Sequence, residues 1–469
     1  MKKIFKILLL LIVFAPCAFF VTGCKGQKTV VDISKSSAST EIISIYTVTY
    51  SDGTTSSFSV EDGEDGKDLN IEDIYEIAKS YNLVSSFGEF LEVYLDYSGA
   101  DVTKNINEAM LSSVAVSAFF PTTTVSFGNY KKDYSLGSGS GVIYKLDKDA
   151  GDAYVITNYH VVYNGGAVAP MIKCFLYGAD MGIEIEKNSL GNEVTDSNGY
   201  PVISFLGNVI DATYIGGSML NDIAVLKITN SDVLKNCDCR AAKIEDSNNV
   251  TVGSSAYAIG NAAGEGISVT QGIISVDSEY FTMTGADNVT EVTYRVMRID
   301  AAVNGGNSGG GLFNEYGELI GIVNAKVVDN KVENIGYALP STLVTRVSDN
   351  IIKNATDSNK QAKKVQLGIT ITSKNARNEY SEEYGKNRVV EDVVIYGIDE
   401  NSFLSSTPLA VGDVVKAVTI NGTKYKITRR HELIDLMWIV EQNAVIIFEV
   451  EGKENISVIA SANNFVNVK

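Results

Sequence analysis

Between residues 112 and 350 the chain alternates apolar and polar positions in short runs: SVAVSAF, SGVIYKL, AYVITN, IAVLKI, SAYAIG, GIISV, YRVMRI and ELIGIVNA. A period of two buries one face of each run and exposes the other, the signal of a half-buried strand. Turns rich in Gly, Asn and Asp separate the runs, so the pattern predicts a β sandwich or barrel and not a parallel α/β sheet. Upstream, IISIYTVTYSDGTTSSFSV alternates about a Ser-Asp-Gly turn and predicts a hairpin, while IEDIYEIAKSYN and FGEFLEVYLDY space their apolar residues as helices do. Together they make a small hairpin-helix module over residues 42–105. Downstream, KNATDSNKQAKK (353–364) reads as a polar linker. Residues 365–469 mix strands with one helix, around HELIDLMWIVEQ, as a small α+β module. The expected fold class is mainly β.

The first residues break this pattern. MKKIFK is basic, and ILLLLIVFAPCAFF is apolar but too short and wrongly flanked for a membrane span, so residues 1–23 read as an export signal. Val21-Thr22-Gly23-Cys24 resembles the lipobox of bacterial lipoproteins, which implies that Cys24 is lipidated and heads the mature chain. Each buried methylene of such an anchor adds about 0.8 kcal/mol of membrane affinity. The expected location is therefore extracytoplasmic, lipid-anchored to the cell membrane, with residues 24–41 as a tether. Of the five cysteines, Cys17 leaves with the signal and Cys24 carries lipid. Cys174, Cys237 and Cys239 have no framework spacing and read as structural or incidental thiols. The formal charge of −18, with 39 Lys and Arg against 57 Asp and Glu, argues against nucleic acid as a partner. EDGEDGKD reads as an acidic turn, because aligning Gly66 with the glycine of a calcium loop puts Gly63 where a ligand is required.

The chemistry concentrates in NGGNSGGGLF, residues 304 to 313, where Ser308 stands among glycines. Linkers are polar on both sides, whereas this loop lies between a strand ending in IDAAV and a hairpin, LFNEYGELIGIV. A phosphate cradle needs a Lys-Ser/Thr ending and a helix start, and neither is present. Gly306-Asn307-Ser308-Gly309-Gly310 satisfies the G-x-S-x-G of a hydrolase elbow, but an elbow runs straight into a helix. Three glycines follow Ser308 instead, each costing about 1 kcal/mol in a helix. An elbow would also need His431 as its base. That histidine opens the predicted terminal helix, where it is expected to face solvent or a peptide groove. The remaining reading is an oxyanion loop, in which Gly306 turns a backbone amide inward and His160, Asp222 and Ser308 follow one another as in trypsin-like enzymes. The chain has only two histidines, so His160 is the natural base.

ITNYHVV, NDIAVLKI, AIGNAAGEGISVTQGIIS, IDAAVNGGNSGGGLFNEYGELIGIVNAK and IGYALP resemble, in the same order, the trypsin-like HtrA (high-temperature-requirement) serine proteases. VQLGI and VGDVVKAVTINGTKY resemble the PDZ domain often attached to them. The resemblance implies a double β-barrel protease domain over 112–352 and a PDZ-like domain over 365–469. It implies Ser308 as nucleophile, His160 as base then acid, Asp222 as orienting carboxylate, and the amides of Gly306 and Ser308 as oxyanion hole. Ile322, Val323 and Asn324 would pair with the substrate backbone, and Gln366, Leu367, Gly368 and Ile369 would receive a peptide's C-terminal carboxylate. The implied substrates are unfolded or damaged exported proteins; no metal or organic cofactor is implied, and a homotrimer is the assembly that related proteases suggest. Gly305, Ala262 and Gly311 stand where the family usually has proline, which predicts looser loops. Residues 175–202 read as an inserted surface elaboration, with a lid or substrate contact as the alternative. These departures motivate a second reading, a weakly active or inactive peptide-binding, chaperone-like surface lipoprotein.

Overall fold

The computed structural model describes residues 30–35, 43–61 except 52, 71–90 except 82, 85 and 87–89, and 102–468 except 127–128, 325–334, 357 and 382–385. Two compact units divide the chain, residues 1–99 and 100–469.

In the first unit, β1 (Val30–Lys35), β2 (Ile43–Tyr50) and β3 (Thr55–Glu61) form an antiparallel sheet in that order, followed by α1 (Ile71–Ser80). The predicted hairpin is β2–β3, paired from Ile43↔Glu61 to Thr49↔Thr55. β1 adds a third strand drawn from what reads in sequence as tether. Cys24 and most of the second predicted helix lie outside the described residues.

The second unit opens with α2 (Val102–Met110), which buries Ile106, Ala109 and Met110 among barrel residues. The boundary read near residue 105 therefore falls inside an element of this unit. β4 (Ser113–Ser126), β5 (Asn129–Asp147), β6 (Asp152–Thr157), β7 (Met171–Leu176), β8 (Ile210–Ser218) and β9 (Ile223–Ile228) close a barrel in the order β8-β9-β6-β5-β4-β7. Alternation does the work in β4: Val114, Val116 and Ala118 point into one core at 0% exposure. β4 pairs with β7 only as far as Phe119↔Met171, so the rest of the β4–β5 hairpin leaves the barrel as a ribbon. The inserted segment packs along that ribbon. Ile183–Ile185 pairs with Ile203–Phe205, Lys132 Nζ donates to Asn198 O at 2.6 Å, and Tyr134 stacks on Tyr200.

β10 (Ser255–Gly260), β11 (Ser268–Thr284), β12 (Glu291–Ile299), β13 (Gly311–Phe313), β14 (Glu318–Val323) and β15 (Gly336–Pro340) make a second ring, β14-β13-β10-β11-β12-β15, closed because β15 also pairs with β14. α3 (Ser341–Asn354) follows, with Leu343, Val347 and Ile351 at four-residue spacing. It packs where the barrels meet, in one core with Val142, Ile223, Phe313 and Leu339.

The expected linker does not hang free. Gly217 N, in β8, donates to Lys360 O at 3.0 Å, and β16 (Ala362–Val365) is already a strand. β17 (Ile369–Ser381), β18 (Lys386–Ile398), β19 (Val414–Ile420), β20 (Thr423–Lys426), α4 (Arg430–Leu436), β21 (Val445–Val450), β22 (Ile456–Ile459) and β23 (Phe465–Val468) complete the chain. The sheet runs β17-β18-β19-β21-β22, with β20 on β19; β16 pairs with β23. This sheet and α4 hold their own core, around Val393, Val418, Leu433 and Phe448.

Candidate active site

His160 sits in the single helical turn Tyr159–Val162 that follows β6. The turn is held from the Asp222 side, since Asn158 Nδ2 and Tyr159 N both donate to Asp222 O, at 2.9 and 3.2 Å. Asp222 enters β9 with φ at +51°, a left-handed conformation that aspartate tolerates better than most residues. Its carboxylate then meets His160 twice: Oδ1 accepts from the backbone N at 3.0 Å, and Oδ2 lies 2.6 Å from Nδ1. At the far side of the ring, Nε2 lies 2.9 Å from Ser308 Oγ. With Nδ1–H committed to the carboxylate, Nε2 is free to accept the serine proton.

Ser308 is held between two glycines that no other residue could replace. Gly306 has φ +96°, and a Cβ there would lie 2.1 Å from Asn261 O; Gly309 has φ +85°, and a Cβ would lie 2.2 Å from Ser140 O. The loop that carries Ser308 is pinned from outside. Gly305 O accepts from Ala263 N at 2.8 Å, and Gly306 O accepts from Ser140 Oγ at 2.7 Å. The carbonyl and N–H of a trans peptide point in opposite directions, so anchoring Gly305 O outward turns the Gly306 N–H toward the cleft. Asn261 holds the pins together: its N donates to Ser140 Oγ, and its Oδ1 accepts from Gly266 N. The looseness expected from Gly305 and Ala262 is thus offset by hydrogen bonds. A Cβ at Gly305 would meet nothing within 4 Å, and the position needs no positive φ.

Ile322 and Val323 do not present the open edge expected of them. β14 is bonded on one side to β13 and on the other to β15, with Ile322 opposite both Gly311 and Leu339. Asn324, fully buried, donates from Nδ2 to Asp222 Oδ2 at 2.8 Å. It touches the triad, a role that sequence reading missed; the available signal was a lone amide at the end of an otherwise apolar strand.

Gln366, Leu367, Gly368 and Ile369 lie together at the entry to β17, an edge strand of its sheet. Gln366 N donates to Asn464 O, Leu367 O accepts from Ser402 Oγ, and Gly368 has φ +63°. His431 is a correction: it is buried at 4% exposure and far from Ser308's loop in role, with Nδ1 3.4 Å from Ser278 Oγ and Nε2 3.3 Å from Asn248 Oδ1. α4 packs against the second barrel there, and the interface covers the histidine. Cys237 and Cys239 are disulfide-bonded, not free thiols, and burial pushes the Cys174 thiol up to about 12. Among the described residues, none of the inserted segment 175–202 lines the cleft at Ser308, and no His, Cys, Asp and Glu group could hold a metal ion.

Residues 139–322 match the trypsin-like peptidase domain. The chain is 32% identical over 289 residues to the serine protease Do-like HtrA of Lactococcus lactis subsp. cremoris, covering 60% of each chain. It is 32% identical over 279 residues to the serine protease Do-like HtrA of Bacillus subtilis, covering 58% of this chain and 51% of that one. The matches thus span about half to three-fifths of those relatives' length. A solved structure of the HtrA-type protease AlgW with a decapeptide aligns with 77% of this chain and 98% of its own, at 21% identity and a TM-score of 0.46. Residues 139–322 are thus similar to a trypsin-like peptidase domain, and about three-fifths of the chain is similar to serine proteases of the HtrA kind.

Proposed function

We propose that this chain is a serine endopeptidase that cleaves unfolded or damaged exported polypeptides through an acyl-enzyme. The reading rests on one observation, the continuous line from Asp222 through His160 to Ser308 at 2.6 and 2.9 Å. Ser308 Oγ attacks a peptide carbonyl as His160 Nε2 takes its proton. Asp222 keeps the ring oriented and stabilises the imidazolium. The negative charge developing on the carbonyl oxygen is met by the amides of Gly306 and Ser308, and each such donor is worth about 10²–10³ in rate. His160 then passes the proton to the departing amine, and water repeats the sequence to release the acyl group.

The remainder of the proposal concerns place and partners. Cys24 carries the lipid anchor and holds the protein outside the cytoplasm at the cell membrane. Residues 365–469 act as a PDZ-like domain, in which an extended C-terminal peptide adds to the β17 edge with its carboxylate at Gln366–Ile369. β-augmentation of this kind needs an unpaired strand edge, which the sheet order supports. Related assemblies make a homotrimer the state to test. The chaperone-like alternative drew on a loose oxyanion loop, and the Ala263–Gly305 hydrogen bond favours the enzyme instead.

A fluorophosphonate probe tests the core of this reading. Labelling of the wild type that vanishes in Ser308→Ala and His160→Ala, together with casein digestion by the wild type alone, is the expected result. A folded wild type that takes no label and digests no casein would overturn it.

A further inference from the structure

The cleft at Ser308 continues past His160 into a cavity of about 390 Å³ whose wall is unusual for this chain. One in five residues of the protein is charged, yet among the described residues no Lys, Arg, Asp or Glu lines this cavity. Phe120, Val161 and Tyr163 supply its apolar wall, each at least nine-tenths buried. The wall stands close against β5. Successive side chains of a strand alternate between faces, so positions 137 and 139 share one face, and both are glycine. A Cβ at Gly137 would lie 3.0 Å from the Phe120 ring; one at Gly139 would lie 2.6 Å from Val161 Cγ1 and 3.2 Å from Ser308 O. The two bare positions therefore border the nucleophile's own backbone as well as the apolar wall.

We infer that this cavity selects a large apolar side chain at the first residue after the cleaved bond. The inference rests on the endopeptidase reading above. In that chemistry the half that departs is the half whose nitrogen His160 Nε2 protonates. That half leaves along the wall to which Val161 and Tyr163, the residues following His160, belong. An apolar side chain gains by losing water contact there. A charged one loses its hydration and finds no ionic partner. Phe120 and Gly137 act as specificity residues: the ring forms the wall, and the missing side chain lets the ring stand where it does.

The test is digestion of a denatured proteome extract by the full chain, with the new N-termini read by mass spectrometry. The wild type is expected to enrich large apolar residues at the first position of the new N-termini. One or more methylenes in an apolar pocket discriminate by about 10–200-fold. Phe120→Ala is expected to reduce the enrichment about tenfold. Gly137→Ala, whose Cβ would press on the Phe120 ring and displace that wall, is expected to weaken the preference for large apolar residues. Circular dichroism and fluorophosphonate labelling check that each variant is folded and competent. Should Phe120→Ala fail to fold, Gly137→Ala and Phe120→Leu carry the test. New N-termini without apolar enrichment, or variants that alter only the residues before the cut, would overturn the inference while leaving the endopeptidase reading intact. Absence of cleavage by the wild type would overturn both.

Discussion

Asn324 shows how far a single side chain can depart from its apparent place in a motif. In sequence it belongs to the run expected to bind substrate, but its amide reaches Asp222 at 2.8 Å. It is a positioning residue: it supports the carboxylate that supports the imidazole. Removing a hydrogen bond to a charged group costs about 1.5–3 kcal/mol. Asn324→Ala is therefore expected to lower kcat by roughly 10–100-fold with KM little changed. Steady-state kinetics on a fluorogenic peptide separates the two roles, because a substrate contact would raise KM instead. Asp222→Asn is expected to be more severe, about 10⁴-fold in kcat, because it reverses which ring nitrogen carries the proton. The triad members were readable because each is announced by its neighbours: a histidine after a strand, an aspartate opening one, a serine between obligatory glycines. Asn324 was not, since its partner is 102 residues away.

At the scale of elements, α4 is the clearest case. Its first turn carries a capping box, with Glu432 Oε2 accepting from Arg429 N at 3.0 Å, and its apolar face supplies Leu433 and Leu436 to the terminal core. Its other side docks on the second barrel. Asp435 pairs with Arg295 of β12, both side chains at 5% exposure or less, and Arg429 pairs with Asp277 of β11. Removing one partner of a buried pair strands a charge and costs about 3–5 kcal/mol, whereas replacing both by apolar residues can be neutral. Asp435→Asn should thus lower the thermal midpoint markedly, and Arg295→Met combined with Asp435→Leu should recover most of the loss. Differential scanning calorimetry reads both. α2 and α3 were missed in sequence for different reasons. The spacing of Leu343, Val347 and Ile351 was available for α3 but was overshadowed by the strands around it. α2 has the composition of a surface helix until the barrel covers Ile106 and Met110.

For the whole molecule, the interface around His431 makes stability depend on pH. Burial, and then the nearby guanidinium groups of Arg295, Arg429, Arg388 and Arg346, hold the His431 pKa well below its ordinary 6.5. Asp435 and Asp277 are already engaged by Arg295 and Arg429. As pH falls through 6.5, the unfolded chain takes up the proton first, so stability is fully present above that value and declines below it. The decline is up to about 1.4 kcal/mol per pH unit until the folded group also protonates. Thermal midpoints measured from pH 7.5 to 5 should fall in the wild type more steeply than in His431→Asn; parallel curves would remove His431 from the account. The division of the chain carries its own expectation. Residues 102–469 contain both barrels, the triad and the terminal sheet within one unit, so that fragment should unfold cooperatively and label with fluorophosphonate at the full-length rate.

Periodicity and local chemistry were enough to read a mainly β protein, the Asp222, His160 and Ser308 that the fold brings together, and a glycine-shaped loop around the serine. Such features are written in neighbouring residues, through strand alternation and the φ that only glycine reaches freely. Other features depend on residues distant in sequence. The hydrogen bond from Ala263 to Gly305 offsets the missing prolines, the strap of Lys360 on β8 gives the linker a place, and burial against the second barrel decides the state of His431. Burial, and the polar partners that burial requires, are properties of the surface an element meets, and that surface exists only once the chain has folded.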